Sequence, residues 1–164
     1  MTTTRGVLHV HSAPSALCPH VEWALGAALG APARLSWSPQ PAERAAYRAE
    51  QAWAGPVGTA THLASVLKRW GRLRFEVTEW STQNSEAERY SYTPSLGIFH
   101  ATIGLHGDIV VPEDRLRFAL ASAPDDRALR AALDELLGGP WDAELDVFRQ
   151  AAAGDPVRWL HEVG

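Results

Sequence analysis

The spacing of the hydrophobic residues changes in a fixed order along this chain, and that order restricts the fold more than any other feature. Gly6 to His11 forms a short run typical of a β-strand. Apolar residues then recur at helical spacing until Gly30, a residue that favours the end of a helix. These apolar residues are Leu17, Val21, Leu25 and Leu29. The pattern predicts a strand followed by a helix, with Pro19 in the first helical turn, where its missing N–H is tolerated.

The same change of spacing occurs a second time. Arg34 to Ser38 and Tyr47 to Trp53 predict two further strands, and a second helix ends at Gly71. The apolar residues of this helix are Leu63, Val66, Leu67 and Trp70. Leu73, Phe75 and Val77 then alternate in a fourth strand. The order β-α-β-β-α-β is that of the ferredoxin-like arrangement, which we predict for the N-terminal half.

The C-terminal half has the pattern of a β-hairpin followed by helices. Arg89 to Thr93 and Ile98 to Ile103 predict the two strands of the hairpin. Pro112 and the acidic residues after it indicate the start of a helix. The predicted apolar face of that helix consists of Leu116, Ala119 and Leu120. Two more helices follow, and the apolar tail, Val157 to Leu160, is expected to pack against the body. We predict one α+β domain over residues 1–164.

Composition excludes several classes of protein. Apolar residues make up 46% of the 164 residues and charged residues 21%, which is typical of a globular chain. The net charge is −4, and nucleic-acid binding requires clustered basic residues that this chain lacks. Neither a signal peptide nor a run of roughly 18 apolar residues is present, so we expect a cytoplasmic protein with no membrane span. The single cysteine allows no intramolecular disulfide.

Charged and histidine side chains are expected on one face of the predicted sheet. His9 and His11 alternate with apolar residues, so both histidines point to the same side of their strand. The residues that we expect beside them on neighbouring strands are Arg48, Glu50, Arg74 and Glu76. This polar face is either a site for a ligand or partner, or a structural face of buried ionic pairs covered by the hairpin and the C-terminal helices.

Histidines also raise the hypothesis of a metal site. Zinc needs three or four His, Cys or carboxylate ligands that converge in space. Two histidines at i and i+2 of a strand suit a metal but need a third ligand. The candidates for it are His20, His100 and His106. No spacing in the chain matches a known zinc signature, so solvated or core histidines are the alternative.

A thiol at a helix start is the candidate nucleophile. Cys18 lies near the N-terminus of the first predicted helix, whose dipole stabilises a thiolate, and His20 is close in sequence. The alternative is an inert, buried thiol, since cysteine is among the most buried residue types.

The segment from Tyr90 to His100 concentrates aromatic and hydroxyl side chains around a turn. Tyr92 and His100 are therefore candidates for the lining of a ligand site. The alternative is a hairpin whose tyrosines pair across the strands. Ser95 lacks the flanking glycines of a hydrolase nucleophile elbow, and no glycine-rich nucleotide loop is present.

Several strings carry a resemblance to a known family. They are RGV to HSAP at 5–14, LCPHVEW at 17–23, ERYSYTPSLG at 88–97, GDI to PEDRL at 107–116 and PVRWLH at 156–161. They resemble an actinobacterial family known as domain of unknown function 3145, and the resemblance covers essentially the whole chain. It implies a cytoplasmic actinobacterial protein without an assigned activity or cofactor. It also implies a link with fatty-acid synthesis, because members are encoded near genes of that pathway.

From these observations we expect a non-catalytic binding or regulatory protein that needs no cofactor. It would act through a protein partner, in fatty-acid or acyl-thioester metabolism, and homodimerisation is a further possibility. The seven tryptophans and the arginines of the polar face favour this hypothesis, since interfaces are anchored by such residues. The alternative is a small enzyme that uses Cys18 or a metal ion bound by histidines.

Overall fold

Seven strands form one antiparallel sheet in the computed structural model of the protein, which describes residues 2–153. The strands are β1 (Thr3–Pro14), β2 (Ser38–Pro39), β3 (Ala46–Pro56), β4 (Arg74–Glu79), β5 (Ala87–Thr93), β6 (Gly97–Ile103) and β7 (Ile109–Val110). Their order across the sheet is β2-β3-β1-β4-β5-β6-β7. The predicted hairpin is confirmed as β5 and β6, which pair from Ala87 and Ile103 to Thr93 and Gly97.

Five helices complete the described part of the chain. They are α1 (Cys18–Leu29), α2 (Thr59–Leu67), α3 (Glu113–Ser122), α4 (Asp126–Leu136) and α5 (Gly139–Ala153). The α+β class is therefore confirmed. Pro19 lies in the first turn of α1, and Gly30 ends this helix with a φ of 73°. This left-handed conformation is one that glycine adopts at little cost, which is why the helix stops there.

The main core lies between one face of the sheet and the helices α1 and α2. Leu8 and Val10 of β1 point into it, as the alternation predicts. The helices contribute fully buried leucines and a valine, namely Val21, Leu25, Leu63 and Leu67. Each such side chain stabilises the fold by about 1.5–3 kcal/mol relative to an exposed one.

A carboxylate from the sheet caps α2. The oxygens of Glu79 accept hydrogen bonds from the backbone N–H groups of Gly58 and Ala60, both at 3.0 Å. The first N–H groups of a helix have no partner within the helix, and they favour a negative charge. Glu79 therefore fixes the start of α2 against β4.

The opposite face of the sheet is covered by α5. Trp141 and Leu145 pack there in a second core cluster with three residues of β6, which are Phe99, Ala101 and Ile103. Trp141 Nε1 also donates a hydrogen bond of 3.0 Å to the carbonyl oxygen of Gly97. The sheet is thus enclosed between α1 and α2 on one side and α5 on the other.

Two predictions about local structure are wrong. No strand spans 34–38: the N–H of Leu35 donates to the Glu22 carboxylate of α1 at 3.0 Å instead of to a neighbouring strand, and only Ser38–Pro39 pairs with β3. The predicted apolar face of α3 is also incorrect, because Leu116 and Leu120 are exposed and only Ala119 is buried. The reason is that α3 packs against α4 beside the sheet rather than upon it.

The predicted packing of Val157 to Leu160 lies outside the described residues, and the single domain over 1–164 stays a prediction. No helix within the described part of the chain is long and apolar enough to cross a membrane.

Gly6 is the position of β1 where the neighbouring strands leave no room for a side chain. A Cβ atom there would overlap the carbonyl oxygen of Thr78 and the ring of Trp53. We expect Gly6→Ala to lower the free energy of unfolding by about 1–3 kcal/mol, the usual cost of overpacking, measured by urea denaturation. Gly104→Ala is the control, with an expected change below about 1 kcal/mol, because its Cβ would lie 3.2 Å from the end of the Val110 side chain and at an ordinary contact distance of 3.6 Å from the Asp108 carbonyl oxygen. Equal effects of the two changes would contradict this account.

Candidate functional site

The centre of the predicted polar face is the carboxylate of Glu76. This side chain is only 1% exposed, and its Oε1 atom accepts a hydrogen bond from His11 Nε2 at 2.8 Å. The guanidinium of Arg149 donates to the same oxygen from Nε at 2.9 Å and from an Nη atom at 2.6 Å. Ser91 Oγ donates to the other oxygen at 3.1 Å. Both carboxylate oxygens are thus satisfied by partners from β1, β5 and α5.

Opposing effects act on the pKa of Glu76. Burial by itself raises the pKa of the carboxyl group, because it disfavours the charged form. The hydrogen bond from His11 and the charge of Arg149 outweigh burial and hold the pKa of Glu76 below its ordinary value. The group is therefore a carboxylate at neutral pH, and it neutralises the buried guanidinium of α5.

Arg149 connects this carboxylate to the acidic side of α5. Its Nη1 atom donates to Asp146 at 2.7 Å and to Asp142 at 3.1 Å. Burial works against the charged form of Arg149, but Glu76 and Asp146 raise the pKa of the guanidinium above its ordinary value. The arginine is permanently charged, and its guanidinium is bound by Glu76 on one side and by Asp142 and Asp146 on the other.

The two histidines of β1 lie side by side beneath α5. The register of β1 shifts after Val10 against both neighbouring strands, and the rings of His9 and His11 stack with centroids 5.9 Å apart. Burial, together with the neighbouring His11, lowers the pKa of His9 to about 3. His9 is consequently a neutral imidazole at physiological pH.

The other predicted members of the polar face lie closer to its margin. Arg74 Nη1 donates to Glu43 at 3.0 Å and to Ser12 at 3.1 Å, and the guanidinium lies 4.4 Å from the centre of the Phe148 ring. Arg48 is half-buried, and Glu50 is exposed. The alternative of a covered structural face agrees with the position of α5 over His11 and Glu76. The predicted role of these residues in binding a ligand or partner stays a prediction.

Cys18 and His20 have separate surroundings. The Cys18 thiol is buried and donates to the carbonyl oxygen of Pro14 at 3.7 Å. Burial and the charge of Glu22 raise the pKa of this thiol, so that little reactive thiolate is present. His20 packs against Trp23 and Trp70, with ring centroids at 5.0 and 5.6 Å.

The predicted metal ligands are not brought together. Within residues 2–153, no three His, Cys, Asp or Glu side chains are grouped so that they could hold a metal ion. His106 lies exposed in the turn between β6 and β7, whereas His9 and His11 are buried in β1. The candidate ligands His9, His11 and His106 therefore lie in different environments, and a metal site stays an untested hypothesis.

The remaining two candidates occupy opposite kinds of position. Tyr92 is buried in the main core, where its ring stacks on Phe75 with centroids 5.3 Å apart. His100 is exposed on β6, with its ring 4.7 Å from that of Tyr90 and its Nε2 atom 3.3 Å from Glu88. Of these two residues, only His100 lies at an open cleft beside β6.

A cleft of about 1010 Å³ opens between β6 and the helices α3 and α4. Its lining is mostly apolar. Phe99 and Trp141 of the second core cluster line one side, and Phe118 of α3 also lines the cleft. Phe118 is 73% exposed, which is high for a side chain of that size. Large clefts with apolar lining and a few polar groups are typical of binding sites.

Three charged side chains accompany the apolar lining. Asp114 and Arg115 of α3 line the cleft, and Glu135 of α4 lines it as well. On α3, Arg115, Phe118, Ala119 and Ser122 follow the spacing i, i+3, i+4, i+7, so they share one face of the helix. Small alanines on this face and on α4 leave the space of the cleft unfilled.

Neither Arg149 nor the cleft was predicted from the sequence. A signal for Arg149 existed, because Trp141, Leu145 and Arg149 recur at four-residue spacing and therefore share the buried face of α5. The cleft had no comparable signal, since it depends on where α3 and α4 stand beside β6.

Comparison with known proteins agrees with the resemblance in the sequence. The family model described as protein of unknown function (DUF3145) matches residues 7–162. The chain belongs to this family. No curated protein and no solved structure matches the chain significantly. Membership in DUF3145 therefore groups the chain with its relatives without bringing an activity from them.

The buried carboxylate of Glu76 leads to a prediction about the stability of the DUF3145 chain. We expect Glu76→Gln to lower the free energy of unfolding by about 3–5 kcal/mol, because it leaves the charge of Arg149 buried without its main partner. Glu43→Gln is the control, because it breaks the ion pair between Glu43 and Arg74. The Glu43 side chain is 43% exposed, so we expect this change to lower the free energy of unfolding by less than about 1 kcal/mol. Urea denaturation of both variants at pH 7.5 measures the difference. Similar losses would mean that Glu76 has no special structural role.

His9 makes the stability depend on pH. The unfolded chain binds a proton on this histidine near pH 6.5, whereas folded His9 stays neutral down to a pKa of about 3. Between these values the unfolded state holds more protons, so stability falls with falling pH, by at most about 1.4 kcal/mol per pH unit. We expect His9→Gln to reduce this slope between pH 7 and pH 5, in denaturation curves recorded above the range where carboxylates titrate. Parallel slopes for both proteins would contradict the depressed pKa of His9.

Proposed function

We propose that this protein is a non-catalytic binding or regulatory protein that acts through a protein partner in fatty-acid or acyl-thioester metabolism. The observation that carries the proposal is the apolar cleft between β6 and the helices α3 and α4, with Phe118 exposed at its wall. Exposed apolar surface of this kind is typical of interaction sites. The metabolic context rests on the family resemblance, which also implies an actinobacterial host and a cytoplasmic location.

The chemistry of the other candidate groups supports binding over catalysis. The Cys18 thiol has a raised pKa and donates to a backbone carbonyl, which is the opposite of an activated nucleophile. The buried charges around Glu76 have their hydrogen bonds within the fold, and they connect α5 to the sheet. Such a network favours a rigid scaffold that presents the cleft.

The same proposal includes a ferredoxin-like arrangement for the N-terminal half. The order β2-β3-β1-β4 with antiparallel neighbours supports it, as does the packing of α1 and α2 against one face of these strands. In this arrangement the N-terminal half is the scaffold, and β5 to α5 supply the cleft.

The decisive experiment is capture of the partner from the native host. The chromosomally tagged protein is purified under gentle lysis, and stoichiometric companions are identified by mass spectrometry after size exclusion. We expect a companion that handles acyl-thioesters. Phe118→Ser should reduce its recovery at least about tenfold, since an exposed aromatic at the centre of an interface commonly contributes a large share of the affinity.

Leu120→Ser is the matched control for Phe118→Ser. Leu120 is 64% exposed on the same helix, but it does not line the cleft and lies about 200° around the helix axis from Phe118. Recovery of the companion with Leu120→Ser should equal that of the unaltered protein. If Phe118→Ser leaves the recovery of the companion unchanged, the cleft is not the site at which it binds. If the protein is isolated alone or as a homodimer, the proposal of a protein partner is overturned.

A further inference from the structure

The outer edge of β6 is only partly covered by β7. The two strands pair at Thr102 with Val110 and at Ile103 with Ile109, and β7 ends there. The part of β6 from Gly97 to Ala101 pairs with β5 alone among the described strands. An edge of this kind is a template for another strand.

The direction of the backbone groups along this edge follows from one hydrogen bond. The N–H of Gly104 donates to the carbonyl oxygen of Asp108 at 2.8 Å, on the β7 side. Alternate residues of an antiparallel strand direct their N–H and C=O groups to the same side. Thr102, His100 and Ile98 therefore direct theirs away from β5, and β7 reaches only Thr102.

The sequence explains why the chain itself does not complete the edge. Continuing the register of β7 would place Pro112 opposite His100. Proline has no N–H to donate to a ladder, and here it precedes the first residue of α3. The chain therefore turns away from β6 at this residue, and the cleft opens beside Ile98 and His100.

The cleft follows this uncovered edge. Ile98, Phe99 and His100 of β6 line one wall, and α3 and α4 form the wall across from them. The volume of about 1010 Å³ is at the upper limit for small-molecule pockets. A backbone edge with outward hydrogen-bonding groups recognises main-chain amides, whereas an acyl chain would use none of them.

We propose that the cleft binds an extended peptide segment of the partner protein, which adds as a strand to β6 through the backbone groups of Ile98 and His100. This inference rests on the proposed function and names the part of the partner that is recognised. Alternate side chains of such a strand point to the same side. Those facing Phe99 and Trp141 should be apolar, because these rings line that part of the cleft. The helices α3 and α4 bound the cleft across from β6, so the added strand would lie between these helices and the edge of the sheet.

A peptide probe tests the backbone contact. Heptapeptides that bind the full-length protein are selected from a displayed random library, and the tightest is synthesised with a single N-methyl group at each position in turn. We expect alternating sensitivity, with about tenfold weaker binding at every second residue, because only alternate N–H groups face β6. Loss at all internal positions would indicate a bound helix, and no loss at any position would indicate side-chain contacts alone. Either result, or a library without binders, would overturn the proposal.

Two variants of His100 test the same contact from the side of the protein. His100→Ala and His100→Pro both remove the imidazole, but only His100→Pro removes the outward N–H, which takes no part in pairing with β5. We expect His100→Ala to bind the peptide within about threefold of the unaltered protein and His100→Pro to bind it at least about tenfold more weakly. Circular dichroism and urea denaturation establish that both variants are folded. If His100→Pro does not fold, the N-methyl series decides.

The two proposals can fail separately. A native partner that depends on Phe118, combined with a peptide series lacking alternation, would retain the proposed function and remove the strand addition. A dimer of the full-length protein that His100→Pro dissociates would show that a second copy occupies the edge, which overturns the peptide as the occupant. Absence of any native partner would remove the proposed function itself, whatever the peptide experiment gives.

Discussion

The ionic contact between Glu76 and Arg149 is the interaction on which the arrangement of the two halves depends. Glu76 lies on β4, in the middle of the sheet, and Arg149 belongs to the last helix of the described chain. Burying either charge alone costs several kcal/mol, so each group requires the other. His11 and Ser91 satisfy the remaining capacity of the carboxylate, which ties β1 and β5 to the same contact.

The position of α5 then determines what is buried and what is open. Its apolar residues close the face of the sheet over β6, and its start lies beside Gly97 through the Trp141 hydrogen bond. The helices α3 and α4 precede α5 and stand beside the sheet, whose face over β6 is occupied by α5. The cleft therefore lies at the edge of the sheet, next to the face that α5 covers.

The chemistry of the molecule divides in the same way. His9, His11 and Glu76, which attract attention in the sequence, lie inside the fold, where burial keeps His9 neutral and hydrogen bonds keep Glu76 ionised. The open surface beside β6 is mostly apolar and adjoins backbone groups at the uncovered edge of the strand. A scaffold with a rigid interior and an uncovered strand edge is suited to recognising another polypeptide.

The sequence by itself determined the α+β class, the hairpin and the division of β1 into an apolar and a polar face. These features follow from local spacing: Leu8 and Val10 alternate with His9 and His11, and Gly30 and Gly71 end helical segments. The sequence did not predict that residues 34–37 form no strand. The reason is that the N–H of Leu35 donates to the Glu22 carboxylate of α1, a contact that local spacing does not reveal. Only the tertiary structure decided that α5 covers the polar face and that α3 leaves β6 exposed. Both depend on contacts between residues far apart in the chain, such as Glu76 and Arg149, which no local pattern specifies.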